Sequence, residues 1–225
     1  MSSVRGAASL LCAAACLLLG SCAGTRLSTT APAGVSLAGT WRFDPAASDD
    51  AQKILSHLRE QALKIINRNI AQAQARVDAG TAPPETAAVV DAPALRRDPL
   101  RRSTAAHILR AVIARGELLT VHQSRDEIVV DYGDSRRSFT PGAQSVVSAE
   151  GGVGDQRSGW NGRSYIIIIK AQQGPEVTDA YELAADGKQL LEKLHISSYE
   201  LPAVDLKRVY DLTSDATPHQ LPTGD

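Results

Sequence analysis

The chain has 225 residues, with 24 basic and 25 acidic side chains and a formal net charge of −1, so it exerts no bulk attraction on nucleic acid. That length suits one domain of ordinary size, or one domain with an insertion. All three cysteines, Cys12, Cys16 and Cys22, fall near the N-terminus, which excludes disulfides, thiolate zinc sites and cysteine nucleophiles from everything downstream.

Arg5, an apolar stretch over residues 7–19 and small residues before a cysteine have the layout of a secretory signal. The stretch is too short to span a bilayer, which takes roughly 20 apolar residues. Leu19, Gly20, Ser21 and Cys22 resemble the lipobox of bacterial lipoproteins. The resemblance implies that residues 1–21 are removed as a signal peptide and that Cys22 becomes a lipidated first residue. Ala23 and Gly24 follow it, without the aspartate that resembles an inner-membrane retention signal, so the implied address is the outer membrane, facing the periplasm. The alternative is an ordinary signal peptide cut nearby, as after Ala23. One acyl chain holds only weakly, so stable anchoring takes more than one. Residues 22–34, rich in Thr, Ala, Gly and Ser with Pro32, read as a flexible tether.

Residues 37–43 mix β-formers with a glycine and end at Asp44-Pro45, which predicts a first strand and a turn. From 48 to 79 the period changes. Ser48, Asp49 and Asp50 offer an N-cap and acidic first turn, and Gly80 offers a stop. Between them Ile54, Leu58, Ala62, Ile66, Ile70, Ala73 and Val77 recur on one face of a long amphipathic helix. Pro83, Pro84, Pro93 and Pro99 make residues 81–102 a loop. Ser103 then caps a shorter helix reaching Ala114, with Gly116 closing it, and the two helices suggest an antiparallel pair.

From Glu117 the period switches to two, with turn signals about every ten residues. Strands are expected near 118–122, 127–132, 136–140, 156–160, 164–170, 176–183, 189–196 and 206–211. Gly151, Gly152 and Gly154 lack the lysine and serine of a phosphate loop and read as a hairpin turn. Residues 165–169, Tyr-Ile-Ile-Ile-Ile, are apolar on both faces, and the long helix is the economical cover for the outer one.

Gly39-Thr40-Trp41 at the head of a β-meander resembles the Gly-x-Trp signature of lipocalins. That resemblance implies a barrel whose closed end is plugged by Trp41, with Arg208 as the structural arginine packing across the indole. Trp160 before Gly162-Arg163-Ser164, and the terminal Val209-Tyr210-Asp211, are also similar to lipocalin-like proteins of the bacterial envelope. The likeness covers the first strand and about residues 117–212. The central Thr-Asp-Tyr signature is absent, and the helical insertion departs from the family's plan. The fold class expected is mainly β (α+β), an antiparallel meander closing into a lipocalin-like barrel of about 8–9 strands. A two-helix insertion, 48–115, interrupts a domain spanning 35–213, and the tail 214–225 reads as disordered. A β-sandwich or open curved sheet is the alternative.

Catalytic chemistry finds no nominee. His57, His107, His122, His195 and His219 share no metal-ligand spacing, although His122 and His195 would line a cavity if their strands were neighbours. No nucleophile elbow is present, and no cofactor, metal or catalytic residue is nominated. Arg96, Arg97, Arg101 and Arg102 cluster on the proline-rich loop and are candidate anion contacts, with a solvated loop as the plainer reading. The leading expectation is a non-enzymatic module, tied to the membrane by its lipid, that holds a small apolar or amphipathic ligand. Trp41, Trp160 and Tyr165 are its candidate lining or plug aromatics. The alternative is an envelope scaffold or accessory factor that meets a protein partner through the helical insertion.

Overall fold

The computed structural model describes residues 26–83, 92–150 and 152–220. The expected signal peptide, Cys22 and its neighbours lie outside the described residues. Ten strands form one antiparallel sheet: β1 (Gly39–Asp44), β2 (Leu118–Gln123), β3 (Ile128–Asp131), β4 (Arg136–Phe139), β5 (Gln144–Ala149), β6 (Gly152–Asn161), β7 (Ser164–Ala171), β8 (Glu176–Leu183), β9 (Gln189–Ser197) and β10 (Val204–Leu212). Their order is β4-β3-β2-β1-β10-β9-β8-β7-β6-β5, so the first strand sits between the second and the last. Trp41 lies opposite Leu212 on one side and Leu119 on the other.

The sheet curls until its edges nearly meet. Arg137 on β4 donates to Gln156 Oε1 on β6 at 2.8 Å, and the Gly142 N–H donates to the Ser158 carbonyl at 2.7 Å. The result is a half-barrel whose seam lies between β4 and β5, the two ends of the strand order.

Ten strands stand where nine were expected, because β5 was missed and β6 begins earlier. Gly152 and Gly154, expected in a turn, belong to β6 and pair with Ala149 and Val147. A Cβ at 154 would lie 3.1 Å from the Lys170 carbonyl, so that glycine answers to a close strand neighbour.

Among the described residues, the connection from β1 to β2 holds three helices: α1 (Ala51–Asp78), α2 (Ala92–Arg97) and α3 (Thr104–Ile113). Asp50 caps α1 by accepting from the Gln52 and Lys53 N–H groups, and Ser103 caps α3 through Ala106 N–H. Ser48 and Asp49 do other work: their side chains accept from Val209 and Lys207 N–H, pinning the start of the insertion to β10. The short α2 occupies part of the expected proline-rich loop. Leu100, just after it, is 2% exposed and enters the core beneath the helices.

Alternation points one face of each strand inward, and that face carries two clusters. The first is aromatic-rich, with Trp41, Trp160, Tyr165, Tyr181 and Tyr210 among Leu119, Val130 and Leu190. Val35 and Leu37 of the N-terminal segment pack into it. The second joins Leu194, Ile196, Val204 and Leu206 of the sheet to Leu109 and Val112 of α3 and Leu58 and Ala62 of α1. α1 therefore finds its partners in α3, α2 and β10. It does not lie over the outer face of β7, contrary to expectation. There Ile166 sits between Gly159 and Ala180, and Ile168 between Arg157 and Thr178, each half-buried among cross-strand neighbours.

Two terminal segments are more ordered than their composition suggests. Ser28 and Trp160 exchange backbone hydrogen bonds of 2.7 and 2.9 Å, so the expected tether is docked from residue 28 onward. Gly159 permits that crossing, since a Cβ there would lie 2.7 Å from the Ser28 carbonyl. At the other end, the His219 N–H donates to Thr120 Oγ1 at 3.1 Å, and His219 Nδ1 lies 3.1 Å from the Asp131 carbonyl. Residues 214–220 thus include a contact strip on β2 and β3 rather than a free tail.

Candidate functional site

Between α3 and the inward face lies a cavity of about 440 Å³, within the size range of small-molecule sites. Its apolar wall includes Ile108 and Val112 of α3 with Ile167, Ile169, Val177 and Leu194 of the sheet. Ser138 of β4 and Val147 of β5 also line it, so the cavity extends to the seam. α3 forms its roof because Ile108 and Val112 recur one turn apart on the helix's apolar face.

The floor is polar, with Asp179 and Arg115 in its lining, and behind it lies a network that includes Glu192 and occupies inward positions that alternation reserves for apolar residues. Asp179 stands on β8 between Val177 and Tyr181, and Glu192 on β9 between Leu190 and Leu194; the two are 8% and 0% exposed. Arg115, just past the end of α3, reaches down to donate to Glu192 Oε1 and, at 3.0 Å, to the Tyr132 hydroxyl. Tyr132 and Tyr181 share a 3.0 Å hydroxyl contact, and Tyr181 donates to Asp179 Oδ2 at 2.9 Å. Tyr210 donates to Glu192 Oε2 at 2.7 Å. β8, β9 and β10, with the residues just past α3 and β3, thereby contribute to one buried network.

The two acids are held differently. Burial opposes the charge on Glu192, yet Arg115, Arg208 and the Tyr210 hydroxyl together keep its carboxyl below the usual range. Asp179 is pushed up to about 7, by burial first and then by the charge of Glu192, against the opposing pull of Arg115. Its Oδ1 is buried without a hydrogen-bond partner.

The residues singled out from the sequence lie elsewhere. Trp41, Trp160 and Tyr165 are 2%, 2% and 0% exposed in the aromatic cluster, and none lines the cavity. Trp160 meets Tyr165 edge-on at 5.2 Å, the Tyr165 hydroxyl donates to Ser158 Oγ, and Trp41 Nε1 donates to the Leu37 carbonyl at 3.1 Å. Arg208 does not cross the Trp41 indole. Its guanidinium stacks 4.5 Å from the Phe43 ring centroid and 5.3 Å from that of Tyr210, and donates to the Val112 carbonyl. The reason is register: Phe43 lies opposite Tyr210, two residues further along the same inward face.

Arg96, Arg97, Arg101 and Arg102 stay exposed on α2 and the turn after it, and none lines the cavity. Arg96 Nε donates to Asn67 of α1, and Arg59 donates to the Arg97 carbonyl. His122 and His195 lie on strands that are not neighbours, and neither lines the cavity. They contact the His219 carbonyl and Asp205 instead. Among the described residues no cluster of His, Cys, Asp or Glu could hold a metal ion, and no helix is long and apolar enough to cross a membrane. Asp179 and Glu192 escaped the sequence reading, although an acid inside a period-two apolar run was a usable signal.

No protein-family model matches the chain, and no curated relative matches it. Similar solved structures include lipid binding protein 8 of Caenorhabditis elegans, at 12% identity and a TM-score of 0.45 over 80% of this chain and 100% of that one. The REP1-NXSQ fatty acid transporter gives 11% identity and a TM-score of 0.44 over 79% of this chain and 96% of that one. A secretory abundant heat soluble protein of Ramazzottius varieornatus gives 12% identity and a TM-score of 0.43 over 80% of this chain and 97% of that one.

Proposed function

We propose that the protein is a lipid-anchored lipoprotein of the bacterial envelope whose half-barrel is a non-enzymatic binding module for a small apolar or amphipathic ligand. The observation that carries the reading is the cavity of about 440 Å³, with an aliphatic wall from α3, β7, β8 and β9 above a polar floor. Such a space takes an apolar chain by desolvation and fixes it through a few polar groups. Native mass spectrometry of protein purified from its own cells should retain a bound amphiphile. Its absence, together with no uptake of a fluorescent fatty acid, counts against the reading.

Anchoring rests on the lipobox resemblance at Cys22. Metabolic labelling with a clickable palmitate analogue should mark the wild type and leave Cys22→Ala unlabelled and free of membranes. Equal labelling of the two sinks the anchor while leaving the cavity untouched.

The rival reading, a scaffold acting through the helices, finds support in α1. Over 28 residues it buries only Leu58 and Ala62. Removing residues 48–115 cannot separate the two readings, because α3 roofs the cavity and Leu109 and Val112 belong to the core. Charge reversal at exposed Arg68 and Arg76 tests it instead: a scaffold loses its partner, whereas a carrier keeps its ligand.

A further inference from the structure

Resting on the reading of the cavity as a ligand site, we infer that Asp179 selects the head group. The ligand is a neutral amphiphile whose hydroxyl donates a hydrogen bond to this carboxylate, rather than a carboxylic acid or an amine.

Asp179 lines the cavity from β8, with one acceptor more than the protein satisfies. Oδ2 takes the Tyr181 hydroxyl at 2.9 Å, whereas Oδ1 has no partner. The surrounding donors are committed. Arg115 serves Glu192 and Tyr132 and leaves its nearest nitrogen 3.9 Å from Asp179, and Arg137 serves Gln156. A buried acceptor left unmade is costly, and Asp179 lines the cavity. The missing donor therefore comes from the cavity's occupant.

The charges around it narrow the chemistry. Glu192 on β9, Arg137 on β4, Tyr132 just past β3, Arg115 at the end of α3 and Tyr181 on β8 itself face or adjoin Asp179. A carboxylate head would set a third acid beside Asp179 and Glu192. An ammonium head would share a wall with the guanidiniums of Arg115 and Arg137. A hydroxyl meets neither repulsion. The raised proton affinity of Asp179 adds a signature: toward acid the carboxyl becomes neutral and stops repelling an anionic ligand.

The test is competition of lauryl alcohol, laurate and laurylamine against N-phenylnaphthylamine on the full chain carrying Cys22→Ala. At about pH 8 the alcohol should bind about tenfold tighter than either charged analogue, the scale of one hydrogen bond to a charged group. The preference over laurate should shrink toward about pH 6. Asp179→Leu should abolish it, and the near-isosteric Asp179→Asn should reduce it to about threefold or less, the preference being read in each variant as the ratio of alcohol to laurate competition against that variant's own fluorophore affinity. A wild-type preference for laurate or laurylamine, or an alcohol preference unmoved by either variant, as when water alone satisfies Asp179, overturns the head-group assignment and leaves the cavity reading standing. Failure to take up any fluorophore overturns both.

Discussion

The two clusters share the inward face and the same alternation and meet on β9 and β10, yet one is filled and the other is hollow. Where the N-terminal segment crosses the sheet, rings meet edge to face and their polar tips are paired locally, Trp41 to Leu37 and Tyr165 to Ser158. Where the helices cross it, aliphatic side chains of α3 touch those of β9 and β10, and space remains toward the seam. A helix laid over a curved sheet contacts it along one stripe, and only large side chains could close what is left. The buried acids stand at the boundary between these regimes. Cavity and polar floor are thus two consequences of capping a barrel with a helix.

The largest expected effects fall one in each region. Trp160→Ala should destabilise the chain by about 3–5 kcal/mol in denaturant titration while sparing ligand uptake in the folded fraction. Glu192→Ala should cost about 3–5 kcal/mol by stranding the half-buried Arg115 and the buried Arg208. A loss below about 1 kcal/mol in either would erase the contrast drawn between a dry core and a charged floor.

Next in size is a pH effect with a definite sign. The folded chain holds Asp179 at about 7, above the unfolded value near 4, so it retains a proton that the unfolded chain releases. This contribution is fully present below about pH 4 and is lost as pH rises through about 7. Wild type should therefore melt at lower temperature at about pH 8 than at about pH 5, and Asp179→Asn should remove that decline and gain about 1–3 kcal/mol at the higher pH. Glu192, shifted downward, acts only in stronger acid. Smallest is Ser103→Ala, which uncaps the roof helix for about 1 kcal/mol. Thermal melts resolve it, and a null result would mean that α3 is held by packing alone.

Much of the fold was legible because it is written in local patterns. Nine of the ten strands, the capping Ser103 and the long α1 follow from alternation, turn residues and helical spacing. β5 was not legible: Gln144–Ala149 lies at the seam edge, mostly exposed on both faces, so no apolar alternation marked it. The site was less legible than the fold. Trp41, Trp160 and Tyr165 attracted notice as large aromatics, but that size is what commits them to the filled end. The ring beneath Arg208 is not legible either, because it depends on the register of β1 against β10. The cavity floor requires Arg115 and Asp179 to converge from separate elements, with Glu192 behind Arg115, a long-range fact that no local window contains.

The most direct test of a ligand space beneath α3 is a fluorophore titration comparing the wild type with Ile169→Trp, a substitution that fills the cavity from its sheet wall. Saturable uptake at one site per chain is expected in the wild type and should vanish in a folded Ile169→Trp. Equal uptake by the two proteins would contradict it.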